Sequence, residues 1–99
     1  MLDFYIVKDD QTKQTYKEKL EREFAGGLDS KTFSNLQSKG IIDKRFDFYS
    51  DFRLSRLQIT KIRDIISQRQ LEADSDVLQF SEILEKAESR QSGLIAYGD

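Results

Sequence analysis

The first residues of the chain alternate between apolar and mixed positions. Leu2, Phe4 and Ile6 share one face at a spacing of two, and the residues between them belong to the other face. Aromatic and β-branched side chains are enriched in strands, and this spacing is the strand period. The pattern predicts a strand over residues 2–7 that is partly buried on both faces.

Residues 16–24 fit two patterns. Tyr16, Leu20 and Phe24 recur every four positions among charged residues, which favours a helix, although the same residues also alternate at the strand period. We expect a helix here and leave a strand as the alternative. Ala25-Gly26-Gly27 is predicted to end the element in either case, because glycine adopts a positive φ at little cost.

Three further helices are predicted from their capping residues. Asp29 begins a helix over residues 30–39, with Leu28 and Phe33 spaced as a hydrophobic staple and Gly40 at its end. Ile41 and Ile42 follow that helix as a buried apolar pair.

The other two helices carry the clearest amphipathic stripes. Ser55 and Gln58 form a capping box that begins a helix over residues 56–70, and Ala73–Asp76 separates it from a helix over residues 76–90. Their inward-facing residues are Ile59, Ile62, Ile65 and Ile66 in one helix and Val77, Phe80, Ile83, Leu84 and Ala87 in the other. After Gly93, the residues 94–97 predict a second strand that pairs with the first.

The segment 43–53 concentrates aromatic residues. Phe46, Phe48, Tyr49 and Phe52 lie among charges of both signs. As a strand or an ordered loop, the segment would place its three phenylalanines in the core, and this interpretation is favoured. The alternative is an exposed anchor patch, and both hold if Tyr49 and Arg53 point outward. Its three aspartates, at positions 43, 47 and 51, could hold a divalent cation but are more typical of a solvated segment.

Composition supports a single α+β domain over residues 1–99, with three to four helices packed on a small sheet that includes the N-terminal strand. Of the 99 residues, 28 are Leu, Ile, Val or Phe, which is enough for one core. No long apolar run predicts a membrane span, and the absence of cysteine is typical of a reducing cytoplasm.

The chain contains neither histidine nor cysteine. This excludes thiol catalysis, imidazole general bases and Cys/His zinc sites within the chain. Neither a phosphate-binding glycine loop nor a complete calcium loop is present. We therefore expect no enzyme activity, no cofactor and no metal.

A protein partner or a second copy of the chain is the expected binding target. The residues predicted to contact it are Tyr49, Asp51 and Arg53, with Arg56 and Arg63 on the following helix. In its size and acidity, with a net charge of −2, the chain resembles small bacterial inhibitor and immunity proteins. That resemblance implies a protein that masks a partner.

The alternative function is nucleic-acid binding through Arg56 and Arg63. Residues 53–69 contain four arginines and one lysine against a single aspartate, and Arg56, Thr60, Arg63 and Ser67 share a helix face. The overall acidity and the lack of a dense basic patch favour a solvated charged face, because phosphate neutralisation supplies most non-specific affinity.

Overall fold

The computed structural model describes residues 1–8 and 23–98. In these ranges the elements are β1 (Leu2–Val7), β2 (Phe24–Leu28), α1 (Ser30–Ser38), β3 (Phe52–Leu54), α2 (Arg56–Gln68), α3 (Ser75–Ser89) and β4 (Gly93–Tyr97). The strands form one antiparallel sheet in the order β2-β1-β4-β3. The predicted α+β fold, with helices packed on a sheet that includes the N-terminal strand, is confirmed.

The three helices predicted from their capping residues and the two predicted strands form at nearly the expected positions. Asp29 accepts the Thr32 N–H at the start of α1, and Asp74 accepts two N–H groups at the start of α3. Both halves of the capping box are present between Ser55 and Gln58. Local capping chemistry therefore set the helix starts, as it commonly does. The predicted helix over residues 16–24 lies outside the described residues, apart from its last two.

The core lies between one face of the sheet and the three helices. Phe4 is fully buried, and its ring centroid lies 5.8 Å from that of Phe80 on α3 and 6.1 Å from that of Phe52 on β3. One buried cluster joins the inward-facing residues of the helices to those of the strands. The helix residues are Phe33, Leu36, Ile59, Ile62, Ile66, Val77, Phe80, Ile83, Leu84 and Ala87, and the strand residues are Leu2, Phe4, Leu54, Leu94 and Ala96. Ile65 is only half-buried at its edge.

The prediction that Ala25-Gly26-Gly27 ends an element was wrong, because these residues lie inside β2. The pairing of β1 with β2 shifts between Phe4 and Tyr5, so that Ala25 is an extra residue in the strand. Gly26 has a φ of +146°, and a Cβ there would lie 2.8 Å from Cγ1 of Ile83. Glycine is therefore needed for a strand bulge that α3 approaches closely, not for a stop.

Of the two alternatives predicted for the segment 43–53, the ordered loop forms over most of it, and only Phe52 and Arg53 belong to a strand, β3. Asp43 and Asp47 each accept, through a carboxylate oxygen, the backbone N–H two residues later. Such aspartate turns compete with a sheet ladder for the backbone. The core interpretation of the three phenylalanines is confirmed, because Phe46, Phe48 and Phe52 are half-buried and pack against the core.

The end of α1 is fastened to the start of α3. The Lys39 Nζ lies 2.8 Å from the Asp74 carboxylate, and the Asn35 amide donates to the Asp76 carboxylate at 2.8 Å. The Lys39 ammonium and the N–H groups of Val77 and Asp76 lower the pKa of Asp74 below its ordinary value of 3.8. The same carboxylate therefore caps one helix and holds the end of another.

No helix within the described ranges is both long enough and apolar enough to cross a membrane.

The Gly26→Ala substitution is expected to lower the free energy of unfolding by about 1–3 kcal/mol, because it strains a positive-φ residue and crowds Ile83. Gly27→Ala is the matched control, since its Cβ would meet mainly the flexible end of Met1 and no positive φ is required. Urea unfolding followed by circular dichroism measures both variants. Equal losses in the two variants would contradict the role assigned to Gly26.

Asp74 is expected to make stability depend on pH in the acid range. Because its folded pKa lies below the unfolded value of 3.8, its charge stabilises the fold above that pH and the contribution is lost as the pH falls through the folded pKa. Asp74→Asn keeps a capping oxygen but removes the charge, so its urea midpoint should fall less steeply than that of the wild type between about pH 5 and about pH 2. Asp64→Asn, at an exposed position of α2, should keep the wild-type slope. A wild-type slope in Asp74→Asn would refute this assignment.

Candidate functional site

The sheet has a second face, which points away from the core. Tyr5 on β1 is opposite Ile95 on β4, which is opposite Arg53 on β3. Since neighbouring residues of a strand point to opposite faces, these three side chains lie on the face opposite Phe4 and Phe52. We call this the outer face, with Tyr5, Phe24, Arg53, Ile95 and Tyr97 as its members.

Three rings of the outer face contact one another in a row. The ring centroid of Tyr5 lies 5.4 Å from that of Phe24 and 5.7 Å from that of Tyr97, in both cases edge to face. Phe24 is 52% exposed, and the two tyrosines are half-buried. This aromatic row was missed in the sequence, because its members are far apart along the chain and only the strand register brings them together.

Three of the five predicted contact residues lie along β3 and the turn before it. Tyr49 is 66% exposed, and its backbone lies against Gly98, directly after Tyr97 of the aromatic row. The Asp51 carboxylate accepts the Gly98 N–H at 3.1 Å, which fastens the turn to the end of β4. Arg53 belongs to the outer face and donates to the Lys8 carbonyl at 3.2 Å. The structure therefore places the backbone of Tyr49 against the residue that follows Tyr97.

The other two predicted residues lie elsewhere, between α2 and α3. Arg63 is paired with Glu88 at 3.2 Å and with Glu85 at 3.6 Å. Arg56 lines a cleft of about 200 Å³ together with Ile59, Thr60, Glu88 and Ser92. Part of the positive charge of this helix face is thus matched by carboxylates of the chain itself. No observation on the described residues favours the nucleic-acid alternative.

A second cleft lies between α2 and the turn that follows α1. Its volume is about 210 Å³, and it is lined by Gly40, Ile41, Ile42, Asp43, Arg45, Phe46, Leu54, Gln58, Lys61, Ile62 and Ile65. We call it the isoleucine cleft, after the four isoleucines in its wall. Gly40, with a φ of +76°, turns the chain out of α1 and brings Ile41 and Ile42 against the core.

The segment that closes the isoleucine cleft is held by hydrogen bonds to its backbone. The Gln37 amide donates to the Asp43 carbonyl at 3.1 Å and to the Phe46 carbonyl at 2.8 Å. The ring of Phe46 stacks on that of Phe52, with 4.3 Å between the centroids. One wall of the cleft is therefore fixed by both polar and aromatic contacts.

The carboxylates that line the two clefts are both paired with arginine. The Arg45 N–H and guanidinium lower the pKa of the Asp43 carboxyl, and Nε of Arg45 lies 3.1 Å from it. Glu88, in the other cleft, is paired with Arg63. Within the described ranges, no three acidic residues come together as a metal site would require.

Comparison of the chain with protein-family models, with curated proteins and with solved structures gives no match.

Proposed function

We propose that this protein is a non-enzymatic protein–protein interaction module, with the outer face and the neighbouring Tyr49 as its contact surface. The observation that carries the proposal is the aromatic row, in which Phe24, Tyr5 and Tyr97 contact one another on the sheet face opposite the core. The partner is a protein chain, either a distinct one or a second copy.

The composition of this surface supports the proposal. Tyr, Phe, Met and Arg are enriched in the cores of protein interfaces, and Arg and Tyr dominate binding hot spots. The outer face contains the aromatic row and Arg53, and Met1 lies next to it over Gly27. Phe24 and Met1 are 52% and 61% exposed, so both present apolar surface to solvent beside the outer face.

The rigidity of Tyr49 also supports a contact role. Its backbone N–H is held by Asp47, its ring contacts that of Phe48 at 5.2 Å, and its turn is fastened to Gly98 through Asp51. An exposed aromatic on a fixed turn loses little conformational freedom on binding. Such a residue suits an anchor for a partner.

Substitution of Phe24 and Tyr49 by alanine is expected to abolish partner binding without unfolding the protein. Two lost anchors should weaken the affinity about thirtyfold or more. Both residues are more than half exposed, so the melting temperature should change by less than about 3 °C. Leu78→Ala is the control, since Leu78 is 50% exposed but lies on α3.

The measurement is affinity capture from native lysate, with and without nuclease treatment, read by quantitative mass spectrometry, together with sedimentation of the purified chain. A stoichiometric partner, or a dimer, that is lost in the double variant and kept in Leu78→Ala supports the proposal. A partner that the double variant still binds would refute the outer face as the contact surface. Capture that disappears with nuclease would favour the nucleic-acid alternative instead.

A further inference from the structure

The isoleucine cleft shares no residue with the outer face. Ile41 and Ile42 come from the turn after α1, Leu54 points into the core from β3, and Ile62 and Ile65 come from α2. Its walls are apolar, and polar groups lie at its rim. This is the usual arrangement of a binding pocket, in which apolar walls supply affinity and few polar groups fix orientation.

The size of the cleft limits what can occupy it. At about 210 Å³ it is smaller than the roughly 300–1,000 Å³ of pockets for drug-sized ligands. A single large apolar side chain fits this scale, as in the pockets that receive anchor residues of protein partners.

The charged residues at the rim of the cleft determine which residues can flank the bound apolar side chain in a partner. Lys61 and Arg45 line the cleft with the single carboxylate of Asp43, and Arg69 approaches Gly40 at one end. The residues that line the cleft thus carry two cations against one anion, a net charge of +1, whereas the whole chain is at −2. Asp43 is matched by Arg45, while the Lys61 ammonium has no partner among the described residues. The rim is therefore complementary to an acidic group.

We propose that the isoleucine cleft binds a peptide segment of a protein partner that presents one large apolar side chain followed by acidic residues. The apolar side chain enters between Ile42 and Ile65, and a carboxylate pairs with the Lys61 ammonium at the rim. This contact is independent of the outer face, so either proposal can fail without the other.

The nine isoleucines of the chain make the proposal directly measurable by methyl NMR. Ile41, Ile42, Ile62 and Ile65 line the cleft, and Ile6, Ile59, Ile66, Ile83 and Ile95 do not. The probe is the blocked peptide acetyl-Leu-Glu-Glu-amide, titrated into protein with ¹³C-labelled isoleucine δ1 methyl groups. We expect saturable shifts at the four cleft methyl groups and much smaller shifts at the other five.

Charge and site are tested with matched peptides and variants. Acetyl-Leu-Lys-Lys-amide is expected to bind at least about fivefold more weakly than the acidic peptide. Lys61→Glu should lower the affinity for the acidic peptide by about fivefold. Lys61→Arg should restore binding, and Lys31→Glu, which makes the same charge change at an exposed position of α1, should leave it unchanged.

Three outcomes overturn the proposal. They are the absence of saturable cleft shifts at millimolar peptide, equal affinity for the acidic and basic peptides, and equal losses in Lys61→Glu and Lys31→Glu. The proposal is supported if the shifts are confined to the cleft methyl groups and the affinity falls only with Lys61→Glu or with the basic peptide. The methyl spectrum of each variant reports directly whether its fold is intact.

Discussion

The structure depends on the position of Phe4 at the centre of the sheet. Its strand, β1, lies between β2 and β4, and its ring contacts Phe80 of α3 and Phe52 of β3. Because strand residues alternate between faces, burying Phe4 fixes Tyr5 on the opposite face. A shift of one residue in register would exchange the two faces. The same constraint therefore forms the core and assembles the aromatic row.

The bulge in β2 affects which surfaces of the sheet a partner could contact. Gly26 allows the bulge in β2 to approach Ile83, and the carbonyls of Ala25 and Gly27 accept hydrogen bonds from Lys86 and Gln79 of α3. An edge strand whose carbonyls are occupied is less able to pair with another chain. This favours contact through the outer face over addition of a further strand at this edge.

The segment between α1 and β3 links both candidate surfaces. Aspartate turns interrupt the aromatic residues, so that Phe46 forms a wall of the isoleucine cleft, while Tyr49 is exposed and its backbone lies against Gly98. A continuous strand would have held these side chains in one alternating line. The turns instead distribute one aromatic segment over the core, the cleft and the exposed surface.

The sequence by itself determined the features that depend on neighbouring residues. The helix starts at Asp29 and Ser55 and the strand over residues 2–7 were predicted, and the start of α3 was predicted to within one residue, because capping and alternation are local. Tyr49, Asp51 and Arg53 were predicted as contact residues from aromatic and charge density alone. The hydrogen bond between Asp51 and Gly98 and the position of Arg53 on the outer face were not predictable from that signal.

Only the tertiary structure decided the rest. Gly26 and Gly27 were predicted to end an element, because the conformational preference of glycine contains no information about the close approach of Ile83. The separation of Arg63 from the other predicted contact residues depends on Glu85 and Glu88, which belong to another helix. The aromatic row and the isoleucine cleft join residues distant in the chain, so their existence follows from strand register and helix packing rather than from any local pattern.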